Sequence, residues 1–88
     1  MKLELITRPR CGLCDELHAA LGAELARRGL DLAVAVVDVD SDPELARRFG
    51  WHVPVLRLDG AVLCAHRLDP ARLDAALAGR PWEPLELA

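Results

Sequence analysis

Residues 32–39, Leu-Ala-Val-Ala-Val-Val-Asp-Val, constrain the fold of this chain more than any other stretch. They are almost continuously apolar and rich in β-branched side chains, the pattern of a strand buried on both faces of a sheet. Strands of that kind belong to parallel pairs, and a parallel neighbour is reached only through a crossover connection, usually a helix. The preceding residues supply both parts. Residues 3–6 form a short apolar-rich run that breaks at Thr7-Arg8-Pro9-Arg10, where Pro9 has no N–H to give a ladder. Leu13, Leu17, Leu21 and Leu25 then recur every fourth residue until Gly29, which predicts one amphipathic helix over residues 12–28. The expectation is a β-α-β unit with two parallel strands.

The second half carries its own punctuation. Ser41 or Asp42 caps a short helix that has Pro43 at its first position, Leu45 and Phe49 on one face, Arg47 and Arg48 in its last turn, and Gly50 after it. Residues 53–58 and 61–65 read as strands joined by Asp59-Gly60, a pair that readily takes the positive φ angles of a tight hairpin. Asp69 then caps a last helix with Pro70 at its first position; Leu68 and Leu73 have the spacing of a hydrophobic staple, and Gly79 and Pro81 end it. The order is β-α-β-α-β-β-α, an α/β chain whose mixed four-stranded sheet is flanked by helices.

Eighty-eight residues, 52% of them apolar, suffice for one core and leave no room for a second. The expected division is a domain over residues 1–79 and a tail over 80–88, whose Trp82, Leu85 and Leu87 pack back on the body. A formal charge of −3 gives no general attraction for nucleic acid or anionic lipid. The first residues lack the apolar run of a secretory signal, and no stretch approaches the roughly 20 apolar residues of a membrane helix. A cytoplasmic monomer without nucleic-acid or membrane partners is expected, and in such a compartment three cysteines point to chemistry or burial rather than to a disulfide framework.

Cys11-Gly12-Leu13-Cys14 stands where the first strand passes into the first helix. Unpaired N–H groups and the positive end of the helix dipole meet there and favour a thiolate over a thiol. Arg8 and Arg10 add positive charge, while Asp15 and Glu16 oppose it. At 100° per residue Cys14 shares the face of Leu17, Leu21 and Leu25 and points inward, which leaves Cys11 exposed. Cys11 is therefore the candidate attacking thiolate and Cys14 the resolving one. Two other readings of the cysteines stand beside this one: burial alone, or a zinc site in which Cys64 and His66 complete a Cys₃His set with the C-x-x-C pair.

The run from Leu5 through Cys14, then His52-Val53-Pro54, then the Asp59-Gly60 hairpin resemble glutaredoxins, and more closely the small bacterial glutaredoxin-like proteins, over most of residues 3–78. The resemblance implies a thioredoxin-like fold and a thiol–disulfide oxidoreductase that needs no metal or organic cofactor in its fold, with glutathione as a candidate co-substrate. Its partner would be a disulfide-containing protein or a low-molecular-weight thiol. It also implies a cis bond before Pro54, a backbone contact to substrate from Val53, and a glutathione-carboxylate contact from Arg8. The chain departs from glutaredoxins after the hairpin, where Cys64-Ala65-His66-Arg67-Leu68-Asp69 stands in place of a Gly-Gly pair and acidic residues. Three further candidates follow: His52 as a proton donor to a leaving thiol, Cys64 as a third redox thiol, and Asp69 as a ligand for the γ-glutamyl end. Cys64 also reads as a small buried hydrophobe, and Asp69 as a helix cap. The alternative function is a non-catalytic thioredoxin-like binding or accessory module, metal-coordinating through its cysteines. His18 is expected at the core boundary, and Trp51 packed on its loop.

Overall fold

The computed structural model describes residues 1–87. It contains β1 (Leu3–Thr7), α1 (Gly12–Arg27), β2 (Val34–Asp38), a single 3₁₀ turn (Val39–Ser41), α2 (Pro43–Phe49), β3 (Val55–Leu58), β4 (Ala61–Ala65) and α3 (Pro70–Leu77). The order in the sheet is β2-β1-β3-β4. β1 and β2 are parallel, with Leu5 opposite Val36, and β1 pairs antiparallel with β3, as β3 does with β4. The element order and mixed sheet are those expected from the sequence.

Alternation along β1 divides the interior into two layers. Leu3 and Leu5 join Leu17, Leu21 and Leu25 of α1 and Leu73 and Ala76 of α3 in one buried cluster. Ile6 joins Val39, Phe49, Val55 and Val62 in a second, on the side of α2. The periodicity of α1 thus becomes its buried stripe: Cys14, Leu17, Leu21 and Leu25 are its buried residues. Asp42 caps α2 by accepting from the Glu44 N–H at 2.8 Å, and Asp69 caps α3 by accepting from the Ala71 and Arg72 N–H groups. Both carry proline in the first turn, where a missing N–H costs nothing. Asp59 and Gly60 have φ of 50° and 85°, which is why an Asp-Gly pair closes this hairpin.

Three expectations need correction. The run over residues 32–39 is not a strand buried on both faces. β2 is an edge strand, Val36 is 53% exposed, and none of residues 34–38 is fully buried. One face of the sheet receives two helices but the other only the seven-residue α2, so the outer strand stays half-covered. His18 lies on the exposed side of α1 rather than at the core boundary. Trp51 is 93% exposed and does not pack its loop.

A β-bulge in β4 also escapes the strict period of two. Leu56 faces Cys64 while the next residue, Arg57, faces Val62, so Leu63 is inserted. Leu63 and Cys64 consequently enter the same cluster on the α1 and α3 side. Beyond α3 the chain returns along the outer edge of β4: the Leu85 N–H donates to the Val62 carbonyl, Trp82 packs on the first cluster and Leu87 on the second. Arg72 fixes this return by donating to the Leu63 and Glu83 carbonyls, with its guanidinium 5.9 Å from the centre of the Trp82 ring. Residue 88, the end of the expected tail, lies outside the described residues.

Candidate active site

Cys11 is the N-cap of α1, in extended conformation, and its sulfur accepts the Cys14 N–H at 3.2 Å. The two cysteines are joined as a disulfide across Cα atoms 5.2 Å apart, a separation that a disulfide spans without moving the backbone. Cys14 is 2% exposed and Cys11 is partly exposed. The cap position gives the pair its asymmetry. Cys14 is already helical and turns with the apolar stripe, while Cys11 precedes the helix and stays accessible. The Cys14 N–H in the first turn of α1 points at the Cys11 sulfur and would stabilise its charge once the bond is reduced. Arg10, directly before Cys11, has a φ of 56°, an uncommon state for a side chain with a Cβ. Asp15 is exposed in the first turn of α1, and Glu16, expected there too, is exposed just after it.

Two hydrogen bonds join the cysteine loop to the segment before β3 and that segment to the end of β4. Arg8 donates to the Gly50 carbonyl at 3.0 Å and lies 3.4 Å from an Asp40 carboxylate oxygen, so its guanidinium ties the β1–α1 loop to the loop carrying His52, Val53 and Pro54. The Val53–Pro54 peptide bond is cis. The Pro54 carbonyl then accepts the His66 N–H at 2.8 Å, and the His52 and His66 rings meet edge to face with centres 5.8 Å apart. Arg8, Val53, Pro54 and His52 thus share one connected loop system with Cys11. Cys64 and Asp69 lie elsewhere, on the core side of β4 and at the start of α3.

Cys64 is 1% exposed, and its sulfur accepts the Asp69 N–H at 3.5 Å. Burial pushes its thiol pKa up, against a smaller lowering by the Asp69 N–H bond, so it remains a neutral thiol at physiological pH. Asp69 spends its carboxylate on two backbone N–H groups of α3. The zinc set does not assemble: among the described residues no group of three or more His, Cys, Asp or Glu side chains is placed to hold a metal ion.

His66 was no catalytic candidate in the sequence. The signal that pointed to it was the absent glycine pair: His66 has a φ of 71°, so the chain keeps a glycine-like backbone state there with an imidazole in place of hydrogen. A cavity of about 510 Å³ is lined by Trp51, His52, Arg47, Arg48 and Glu86 and by neither cysteine of the pair. A smaller one of about 280 Å³ lies between Arg8, Ala46, Gly50 and Trp51.

The sequence matches the model of the glutaredoxin-like domain family (DUF836) over residues 2–78. Uncharacterized proteins of Mycobacterium bovis and Mycobacterium tuberculosis are 32% identical to it over 80 residues, covering 88% of this chain and 82% of theirs. A structural-genomics target from X. campestris is 34% identical, with a TM-score of 0.64 over 90% of this chain and 99% of that one. Thioredoxin 1 from Thermosipho africanus shares the fold at a TM-score of 0.56 and 15% identity, over 89% of this chain and 96% of its own. The fold is thioredoxin-like, and no described helix is long and apolar enough to cross a membrane.

Proposed function

Because the chain belongs to the glutaredoxin-like domain family, we propose that it is a thiol–disulfide oxidoreductase working through Cys11 and Cys14. The observation that carries this reading is the bonded pair at the start of α1, one sulfur accessible and the other buried. In the reduced protein the Cys11 thiolate attacks one sulfur of a substrate disulfide. A Cys11–substrate bond forms, the substrate bond breaks, and the departing thiolate takes a proton. Cys14 then loses its proton and attacks the Cys11 sulfur, which releases the second substrate thiol and leaves the Cys11–Cys14 disulfide. Two electrons pass to the substrate, and an external thiol must restore the dithiol.

Val53 makes none of the loop backbone hydrogen bonds found among the described residues, which supports a role for its backbone in pairing with substrate beside Pro54. Arg8 is a positioning residue in this reading, since its donors serve Gly50 and Asp40. His52 is a proton donor to the departing thiol. The protein acts as a cytoplasmic monomer on a protein or low-molecular-weight disulfide.

Cys11→Ser abolishes exchange with a disulfide substrate, while Cys14→Ser retains the first step and accumulates a mixed disulfide detectable by intact mass. Equal activity of Cys11→Ser and the parent protein would contradict the proposal and favour a module that binds without turnover.

A further inference from the structure

His66 stands in a backbone state that a histidine enters only at a cost. Its φ is 71°, and across it the Arg67 N–H donates to the Ala65 carbonyl at 2.8 Å, which closes the rare, strained form of a γ-turn. Glycine would take such a turn freely. The residue is exposed, so burial does not offset the strain. Backbone strain of this kind persists where the surrounding structure fixes it, and it gathers at functional sites.

The surroundings of His66 indicate what the imidazole serves. Its N–H donates to the Pro54 carbonyl at 2.8 Å, and its ring meets the His52 ring edge to face, with centres 5.8 Å apart and planes inclined at 62°. With Arg67 and Leu68 it also lines a cavity of about 230 Å³, whose other wall includes Glu16 and Leu17 in the second turn of α1, directly after Cys14. His66 therefore reaches from the start of α1 to both ends of the His52-Val53-Pro54 segment: its backbone holds Pro54, and its ring lies on His52. Edge-to-face contact is an arrangement that aromatic rings favour, and here it limits rotation of the His52 ring.

Resting on the redox reading above and on the role of His52 within it, we propose that His66 is a positioning residue for proton transfer. It holds the His52 imidazole where a ring nitrogen can hand its proton to the departing sulfur. As the Cys11 thiolate attacks, the Cys11–substrate bond forms and the substrate disulfide breaks, its electron pair going to the departing sulfur. The proton passes from His52 to that sulfur, and solvent later returns one to His52. His66 itself neither gives nor takes a proton.

Glycine at position 66 relaxes the turn and removes the ring, so stability and rate should separate. The reduced parent, His66→Gly, His66→Asn, His52→Gln and the double variant His52→Gln with His66→Gly are each mixed with two neutral disulfides. Bis(hydroxyethyl) disulfide expels a basic aliphatic thiolate that gains from a proton donor, whereas bis(nitrophenyl) disulfide expels an acidic aromatic thiolate that leaves without one. His66→Gly is expected to melt no lower than the parent and to lower the ratio of the aliphatic to the aromatic rate about tenfold, part of what general acid catalysis supplies. His66→Asn, whose side chain tolerates the same φ, lowers the ratio likewise. His52→Gln lowers it at least as far, and the double variant no further, because both residues act on one proton. An unchanged ratio in His66→Gly or in His52→Gln, or a double variant whose loss is the product of the single losses, would overturn the proposal. So would a His66→Gly protein that melts far below the parent and reacts more slowly with both disulfides alike, the mark of a purely structural residue. A parent that exchanges with neither disulfide refutes the redox reading and the role of His66 with it; a parent that exchanges while His66→Gly keeps its ratio refutes the role of His66 alone.

Discussion

Replacing Asp69 by alanine separates the two roles the sequence offered for it. The carboxylate accepts two N–H groups of α3, from Ala71 at 3.1 Å and Arg72 at 3.2 Å, and Pro70 leaves no third donor at the first helical position. Loss of such a cap costs about 1 kcal/mol. For a domain of this size that lowers Tm by about 4–8 °C. Asp69→Asn keeps an acceptor oxygen and removes only the charge beside the helix dipole, a loss of about 0.3–1 kcal/mol. Thermal unfolding followed by circular dichroism gives the order parent, Asn, Ala. Exchange rates measured well below the transition should be unchanged in both variants, because Asp69 supports α3 rather than substrate. A normal Tm in Asp69→Ala, or a stable Asp69→Asn protein with a large loss of exchange, would refute the capping argument and restore the carboxylate as a ligand.

Two further outcomes follow from the same geometry. Cys64→Ala should leave exchange intact and cost about 1 kcal/mol, the scale of one small buried group, measured by denaturant unfolding; abolished exchange would show that the thiol takes part. The Asp74 carboxyl is held below its ordinary pKa of 3.8 by hydrogen bonds from Arg28 and then Arg80. Its folded pKa being depressed, its contribution is present above pH 4 or so and lost as pH falls through the folded value. The stability difference between the parent and Asp74→Asn should therefore be constant near neutrality and shrink in acid; a difference that grows in acid would show that the pair does not act this way.

What the sequence made legible was local chemistry with a fixed position: the Cys11-x-x-Cys14 pair at a helix start, the aspartates before Pro43 and Pro70, and the Asp59-Gly60 turn. Each is set by a few neighbouring atoms, so neighbours in sequence suffice to read it. The β2 run misled because apolar continuity reports how much burial a strand can use, whereas its cover depends on helices elsewhere in the chain. The bulge at Leu63 was invisible for a related reason. Its extra residue is defined only against Leu56 and Arg57 of the partner strand. Within the site, His66 was read from the sequence as a zinc ligand and Trp51 as a residue packed on its loop, and neither reading used the feature the structure shows. One occupies a backbone state suited to glycine, and the other is left in water beside the cysteine loop.

The central claim is that the start of α1 makes Cys11 a reactive thiolate, and the pH dependence of alkylation in the reduced protein tests it most directly. Mass spectrometry resolves the site of modification, with buried Cys64 as the internal unreactive control. The account predicts modification of Cys11 alone, with an apparent pKa well below the free-cysteine value of about 8.5, and re-formation of the Cys11–Cys14 bond on mild oxidation. An apparent pKa at or above that value, with no disulfide formed, would contradict it.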